Sequence, residues 1–405
     1  MKTRALLGRL TIHSLLVLTL GATPVLAEKR YGPGATDTQI KIGQTMPYSG
    51  PASLYGTVGK AMAAYFDKIN AEGGVNGRKI NLISLDDGYS PSRTMEQTRK
   101  LVEQEEVLLI FGTLGTAVNT AIHKYLNTKQ VPQLLISSIG MKWNDPRNFP
   151  WTISFQPNQK SEGGVYARYL LRNNPNARIA ILYQNDDFGG GYLQPVKDVL
   201  GDRARTMIVA EASYEVSDPS VDSQIVSLQA SGADTLLIFA SPKFAAMAIR
   251  KTHEIGWKPL ELLTLASATV TSVLQPAGLE KSVGVISSGY LKDPTDAQWK
   301  NDAGTRDWLA WMKRYYPDGN TADVYNVVGY TEAQALVQVL KQCGDDLTRD
   351  NVMKQAAHLK DLELPMLLPG IKITTSPADY RIIKQLQLMR FDGKQWVLFG
   401  EVIGD

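Results

Sequence analysis

One pattern constrains this chain more than any other. Short apolar, β-branched runs alternate with amphipathic stretches of helical period. Strands read over 40–46, 79–85, 107–111 and 131–136, with helices over 56–71, 92–104 and 117–127 between and after them. The pattern restarts after 151–156. Helices then read over 159–172, 192–200, 221–230 and 243–255, and strands over 178–183, 207–212 and 234–239. Strands followed by helices of this length build βαβ units, so the expectation is parallel sheets covered on both faces. Leu236-Leu237-Ile238-Phe239 is apolar throughout, as a strand with two buried faces demands. Two such series predict an α/β fold of two doubly wound parallel-sheet lobes.

The tail breaks the pattern. Helices read over 302–316, 323–342 and 348–358. A hairpin reads over 384–390 and 395–401, turned by Phe391-Asp392-Gly393-Lys394. No flexible linker separates the lobes, so several close crossings should join them as a multi-strand hinge. The expected division places 28–148 and 268–370 in an N-terminal lobe, and 149–267 and 371–405 in a C-terminal lobe.

Charge says little about the body of the protein. The chain of 405 residues carries 43 Lys+Arg against 40 Asp+Glu. Residues 1–27 hold Lys2, Arg4 and Arg9 and no acid, so the rest is balanced. No polyanion-binding excess remains, and nucleic acid is not an expected partner. The head itself reads as an export signal. Its positive start is followed by the apolar run Ser14–Leu20 and by Val25-Leu26-Ala27, with cleavage expected after Ala27. That predicts a periplasmic location.

Catalytic patterns are missing. There is no dinucleotide-binding glycine fingerprint, phosphate-binding loop or nucleophile elbow. Asp187-Phe188-Gly189 matches a kinase triplet without its companions. The single cysteine, Cys343, cannot form an internal disulfide, and His123, His253 and His358 form no ligand cluster. Asp86-Asp87 reads as turn and helix-start chemistry. No metal, cofactor or catalytic residue is expected, which favours binding over turnover.

Ligands of parallel α/β sheets sit beyond the carboxyl ends of the strands. That rule selects the loops at 45–59, 112–116, 137–141, 184–191 and 240–244. They offer hydroxyls and aromatic rings with few charges. The 112–116 loop opens a helix, whose free N–H groups and dipole suit a carboxylate. Thr116 also reads as an ordinary N-cap.

Several of these segments carry a resemblance. Ile40-Lys41-Ile42-Gly43, Pro47-Tyr48-Ser49-Gly50-Pro51, Tyr55-Gly56, the run Ile69–Arg78 and Ile179–Tyr183 leading to Phe188-Gly189 resemble the solute-binding proteins of branched-chain amino acid ABC importers. The resemblance spans about 38–402. It implies the type I periplasmic binding fold, lobes that close on a small ligand, a membrane permease as partner and a monomer. The loop rule adds Leu114 and Ser137 as candidate ligand contacts and makes Tyr55, Phe188, Phe244 and Tyr290 the walls of an apolar slot; the resemblance implies ligand contacts from Tyr55, Thr116, Ser138, Ile139, Met141, Phe188 and Tyr290. Thr116 would hold the ligand carboxylate, and Tyr55, Phe188 and Tyr290 would pack on its body.

Two departures stand out. Phe244 falls where amino-acid-binding members place the acid that pairs with the ligand ammonium, and Met141 replaces a hydroxyl. Burying an ammonium without its counter-charge costs several kcal/mol. The expected ligand is therefore a hydrophobic or aromatic carboxylate, with branched-chain amino acids as the alternative. Asp186 or Asp187 would serve an ammonium in that case. A ligand sensor of the same fold is a further alternative.

Overall fold

The computed structural model describes residues 29–404; the expected export signal, 1–27, lies outside them. Among the described residues fourteen strands are present: β1 Arg30–Tyr31, β2 Gln39–Met46, β3 Lys79–Asp86, β4 Ile110–Phe111, β5 Gln133–Ile136, β6 Thr152–Ser154, β7 Ile179–Gln184, β8 Ile208–Tyr214, β9 Thr235–Phe239, β10 Leu260–Leu263, β11 Ile286–Gly289, β12 Asp346–Leu347, β13 Gln385–Phe391 and β14 Trp396–Gly404. Two sheets dominate. The first runs β3-β2-β4-β5-β6 and is parallel throughout. The second runs β8-β7-β9-β10-β11-β13-β14.

The second sheet is mixed, where a parallel one was expected. β13 is antiparallel to β11 and to β14. The tight turn forces the β13–β14 pair to be antiparallel, and the chain returning from the first lobe enters β13 against the direction of β11. The parallel strands have the expected burial. Leu236 through Phe239 are fully buried. β6, β10 and β11 carry no strong signal in the sequence. β11 reads Ile-Ser-Ser-Gly, yet Ser287 and Ser288 are buried because Leu263 O and the Tyr166 hydroxyl bond them.

Helices cover both faces, and some belong to a lobe distant in sequence. The helix Val324–Cys343 packs on Gly56–Ala71 of the first lobe. Gly329 permits this approach, since a Cβ there would lie 2.3 Å from Val58 O. Cys343 is buried in that contact region, and burial pushes its thiol up to about 12.

The chain passes between the sheets three times, at 154–159, after 289 and near 384. Two expected boundaries move. Ile286–Gly289 sits in the second sheet, so the return to the first lobe follows 289, not 268. Residues 371–383 still pack on the first lobe, through Ile373 with Leu362 and Tyr380 N with Asn144. Repeat length sets neither crossing; strand pairing does.

A buried carboxylate organises the second lobe. Glu162, in the helix Gln159–Asn173, is fully buried. It accepts from Tyr166 OH (2.7 Å), Leu265 N (2.6 Å), Thr264 Oγ1 (3.3 Å) and Tyr192 OH. Burial pushes its carboxyl above the ordinary range, against the pull of these donors. Removing it leaves several buried donors unpaired. Glu162→Ala should cost about 3 kcal/mol or more in denaturant unfolding, and Tyr192→Phe clearly less.

Candidate functional site

A cleft of about 1030 Å³, including its open mouth, lies between the lobes. Its walls come from loops that leave the carboxyl ends of the strands, in both sheets. The loop after β4 carries Leu114 and Thr116, that after β5 Ser137 to Ile139, and that after β7 Phe188.

One end of the cleft is a hydroxyl shelf. Thr116 Oγ1 and Ser138 Oγ lie 2.9 Å apart, and Trp143 Nε1 donates to Ser138 Oγ at 2.8 Å. Thr116 is the first residue of the helix Thr116–Thr128 and does not cap it. The N-cap is Gly115, at φ 108, with no side-chain cap. The glycine is required: a Cβ at Gly115 would meet the Tyr89 ring at 2.4 Å. The shelf therefore presents hydroxyls beside the positive end of a helix dipole, with no lysine or arginine among the cleft residues.

The adjacent Ser137 hydroxyl turns inward. It donates to Glu332, which also accepts from Gln156 Nε2 at 3.3 Å. Gln156 lies in the first crossing between lobes, so this buried carboxylate joins site to hinge. Burial pushes Glu332 up to about 8, against the opposing hydrogen bonds from Ser137 and Gln156.

The walls are aromatic. Tyr55, Tyr89, Phe188, Tyr290 and Tyr325 are all buried and all line the cleft. Tyr89 holds φ 60, a costly backbone conformation for an aromatic residue. Asp87 supports it by accepting from Tyr89 N at 2.9 Å and from Thr94 Oγ1 at 2.9 Å. That is the turn chemistry expected of Asp86-Asp87.

The lobes touch across the opening. Tyr55 OH and Tyr325 OH both donate to Ala266 O, at 3.2 and 2.7 Å. Tyr89 OH donates to Asp186 Oδ2 at 3.4 Å. At the rim, Lys142 Nζ and Thr120 Oγ1 each reach Asp187 Oδ2 at 2.7 Å. The arrangement is that of closed lobes.

Eight expected site residues line this cleft: Tyr55, Leu114, Thr116, Ser137, Ser138, Ile139, Phe188 and Tyr290. Two do not. Met141 opens a short turn, Met141–Trp143, which aims Trp143 at Ser138 and leaves Met141 37% exposed. Phe244 is fully buried in the second-lobe core against Tyr214, with ring centroids 4.3 Å apart. The helix Pro242–Glu254 has already begun there, and its rotation carries Phe244 away from the loop. Ser241 takes the lining place, so the loop still offers no acid. Asp187 is held at the rim. Asp186 already accepts from Phe188 N, Gly189 N, Gln184 Nε2 and Tyr89 OH.

Sequence reasoning missed Tyr89, Tyr325 and Asp293. Tyr89 follows Asp86-Asp87 by two residues, and its left-handed backbone carries no mark in the sequence. Tyr325 opens a helix that belongs to the other series of elements. Asp293 follows a strand too polar to be seen.

Comparison with known proteins bears on this geometry. A family model described as periplasmic binding protein matches residues 39–395. A Leu/Ile/Val-binding protein homolog 7 of Brucella abortus (strain 2308) is 23% identical over 349 residues, covering 84% of this chain and 85% of that protein. A branched-chain amino acid ABC transporter protein from Thermus thermophilus, with bound valine, superposes with a TM-score of 0.81 at 16% identity, over 92% of this chain and 98% of that one. A fatty acid ABC transporter substrate-binding protein from Thermomonospora curvata gives 0.76 at 20% identity, over 93% and 95%. At these identities the structural likenesses establish the fold: the type I periplasmic binding architecture.

The protonated form of Glu332 is the one this fold favours. It therefore adds stability below the unfolded carboxyl range and withdraws it as pH rises toward about 8. Thermal melts of the unliganded protein from pH 5 to 8.5 should decline with pH. Glu332→Gln should flatten that decline, and an unchanged slope would assign it elsewhere.

Proposed function

This chain belongs to the periplasmic binding protein family, and on that premise we propose that it is the extracytoplasmic solute-binding component of an ABC importer, closing its lobes on a small hydrophobic or aromatic carboxylate. One observation carries the reading. The aromatic-walled cleft carries the Thr116–Ser138 hydroxyl shelf at a helix N-terminus, and neither Thr116 nor Ser138 is paired with an acid. Hydroxyls and helix N–H groups suit a carboxylate, and flat aromatic walls suit an apolar body. Ligand would meet the shelf first, and closure would bring Phe188 and Ala266 over it. Closed lobes are then favoured because they alone make both sets of contacts. The family is one of solute binding and not of turnover.

The expected export signal supports a periplasmic location and a permease partner. A monomer suffices, because both walls of the cleft come from one chain. No helix among the described residues is long and apolar enough to cross a membrane.

A second reading is a branched-chain or other hydrophobic amino acid. The names of the Brucella relative and the valine-bound Thermus protein favour it. It requires an acid for the ammonium near the ligand head. Asp186 already accepts from four donors, and the acid that lines the cleft, Asp293, accepts from Thr295.

A thermal-shift screen separates the two. Cinnamate or phenylalkanoates should raise the melting temperature by mass action, and leucine should not. A strong shift with leucine alone would reverse the preference. Thr116→Ala should weaken carboxylate binding about tenfold in titration calorimetry while leaving the melting point of the free protein nearly unchanged. Asp187→Asn removes a rim pair whose side chains are 40% and 43% exposed, worth under about 1 kcal/mol. Stopped-flow release should quicken no more than about fivefold, with the association rate held.

A further inference from the structure

The hydroxyl shelf has a third member that does not line the cleft. Trp143 is buried behind it, and its indole N–H donates to Ser138 Oγ at 2.8 Å. Its surroundings hold the indole in that pose. The Trp143 and His123 rings meet edge to face, with centroids 5.1 Å apart at 88°, and His123 stacks on Phe149 at 4.0 Å. Gly140 leaves the room the indole needs. A Cβ at Gly140 would lie 2.6 Å from Trp143 Nε1 and 3.0 Å from Thr116 Cγ2.

Counting hydrogens fixes what the shelf offers. An indole N–H only donates, whereas a hydroxyl donates its hydrogen and accepts on two lone pairs. On Ser138 Oγ, Trp143 fills one accepting position and Gly140 N approaches the other at 3.4 Å. The hydrogen of Ser138 is therefore the one shared with Thr116 Oγ1, 2.9 Å away. The opposite direction would ask Ser138 Oγ to accept three hydrogen bonds. Thr116 Oγ1 makes no other hydrogen bond among the described residues, so its own hydrogen is left for the cleft. Without the indole, Ser138 has an accepting position open and either direction is allowed.

We propose that Trp143 sets the direction of a hydrogen-bond chain, from Trp143 Nε1–H to Ser138 Oγ, from Ser138 O–H to Thr116 Oγ1 and from Thr116 O–H to the ligand, so that the shelf selects an accepting group. The inference rests on the reading of the cleft given under Proposed function. Each donor in such a chain is polarised by the one behind it, which strengthens the last bond. A carboxylate oxygen accepts that bond. An ammonium only donates, and would leave the Thr116 hydrogen buried without a partner. Trp143 itself touches no ligand in this arrangement. It is a positioning residue that acts through Ser138.

Titration calorimetry on the full chain tests this with cinnamate, which only accepts at its polar end, and cinnamyl alcohol, which accepts or donates. Trp143→Phe keeps a ring against His123 and removes the donor. It should weaken cinnamate about tenfold and lower the ratio of cinnamate to alcohol affinity about fivefold. In a Ser138→Ala background the same change should weaken cinnamate less than about twofold, because the chain is already cut. Nuclear magnetic resonance gives a readout that packing alone does not move. The Trp143 indole N–H, one of seven in the chain, should shift downfield when the wild type is saturated with cinnamate, and Ser138→Ala should remove that shift. Equal losses for both ligands in Trp143→Phe, or an indole signal that cinnamate leaves in place, overturn the inference while the carboxylate reading stands. Failure of the wild type to bind cinnamate or any other aromatic carboxylate overturns both. Should Trp143→Phe fail to fold, the indole shift in the wild type and its loss in Ser138→Ala decide the matter.

Discussion

The second lobe is arranged around the buried carboxylate of Glu162. This group lies one turn into the helix that follows the first crossing between lobes, and its donors come from Tyr166 of the same helix and from two other places in the chain. Tyr192 starts the helix after the Phe188 loop and stacks on Phe239 of β9 at 4.0 Å. Leu265 N and Thr264 belong to the loop after β10, which carries Ala266 to the cleft. A single acid thus sets the position of two cleft loops. A buried charge that is fully hydrogen-bonded acts in this way because any displacement leaves donors without a partner in a dry interior.

The first lobe uses a different device for the same purpose. Its ligand-facing loop turns at Gly115, where no side chain fits beside Tyr89. The helix that follows has no side-chain cap, and its dipole is left for whatever occupies the cleft. Glu332 then holds Ser137 from behind and touches the hinge through Gln156. Each lobe therefore backs its half of the site with one buried acid. The whole-molecule charge contributes little, since 28–405 is balanced, and the field at the shelf comes from local dipoles and hydroxyls.

Much of the fold was legible because its signals are local. Strands such as 234–239 are apolar runs, and helices such as 56–71 have a clear apolar face. Strands that depend on distant partners were not legible. Ser287 and Ser288 look like loop residues until Leu263 O and Tyr166 OH are in place beside them. The lobe boundaries shifted for the same reason, since β11 is defined by pairing with β10 and β13. Within the site, residues on the loops after strands were legible from topology alone. Phe244 was misplaced by a helix that starts two residues earlier, and Met141 by a turn that sends Trp143 inward.

By itself the sequence determined the alternation of strand and helix, the two-lobed α/β architecture, the strand-end loops that wall the cleft and the absence of a net field in the body of the chain. Those follow from periodicity and composition, which each segment carries without its neighbours. Tertiary structure decided which side chains of each loop face the cleft, that Ser241 replaces Phe244 there, and that Tyr89, Tyr325 and Asp293 join them. Those depend on helix phase, strand pairing and the satisfaction of buried polar groups, and none of these exists until distant segments meet.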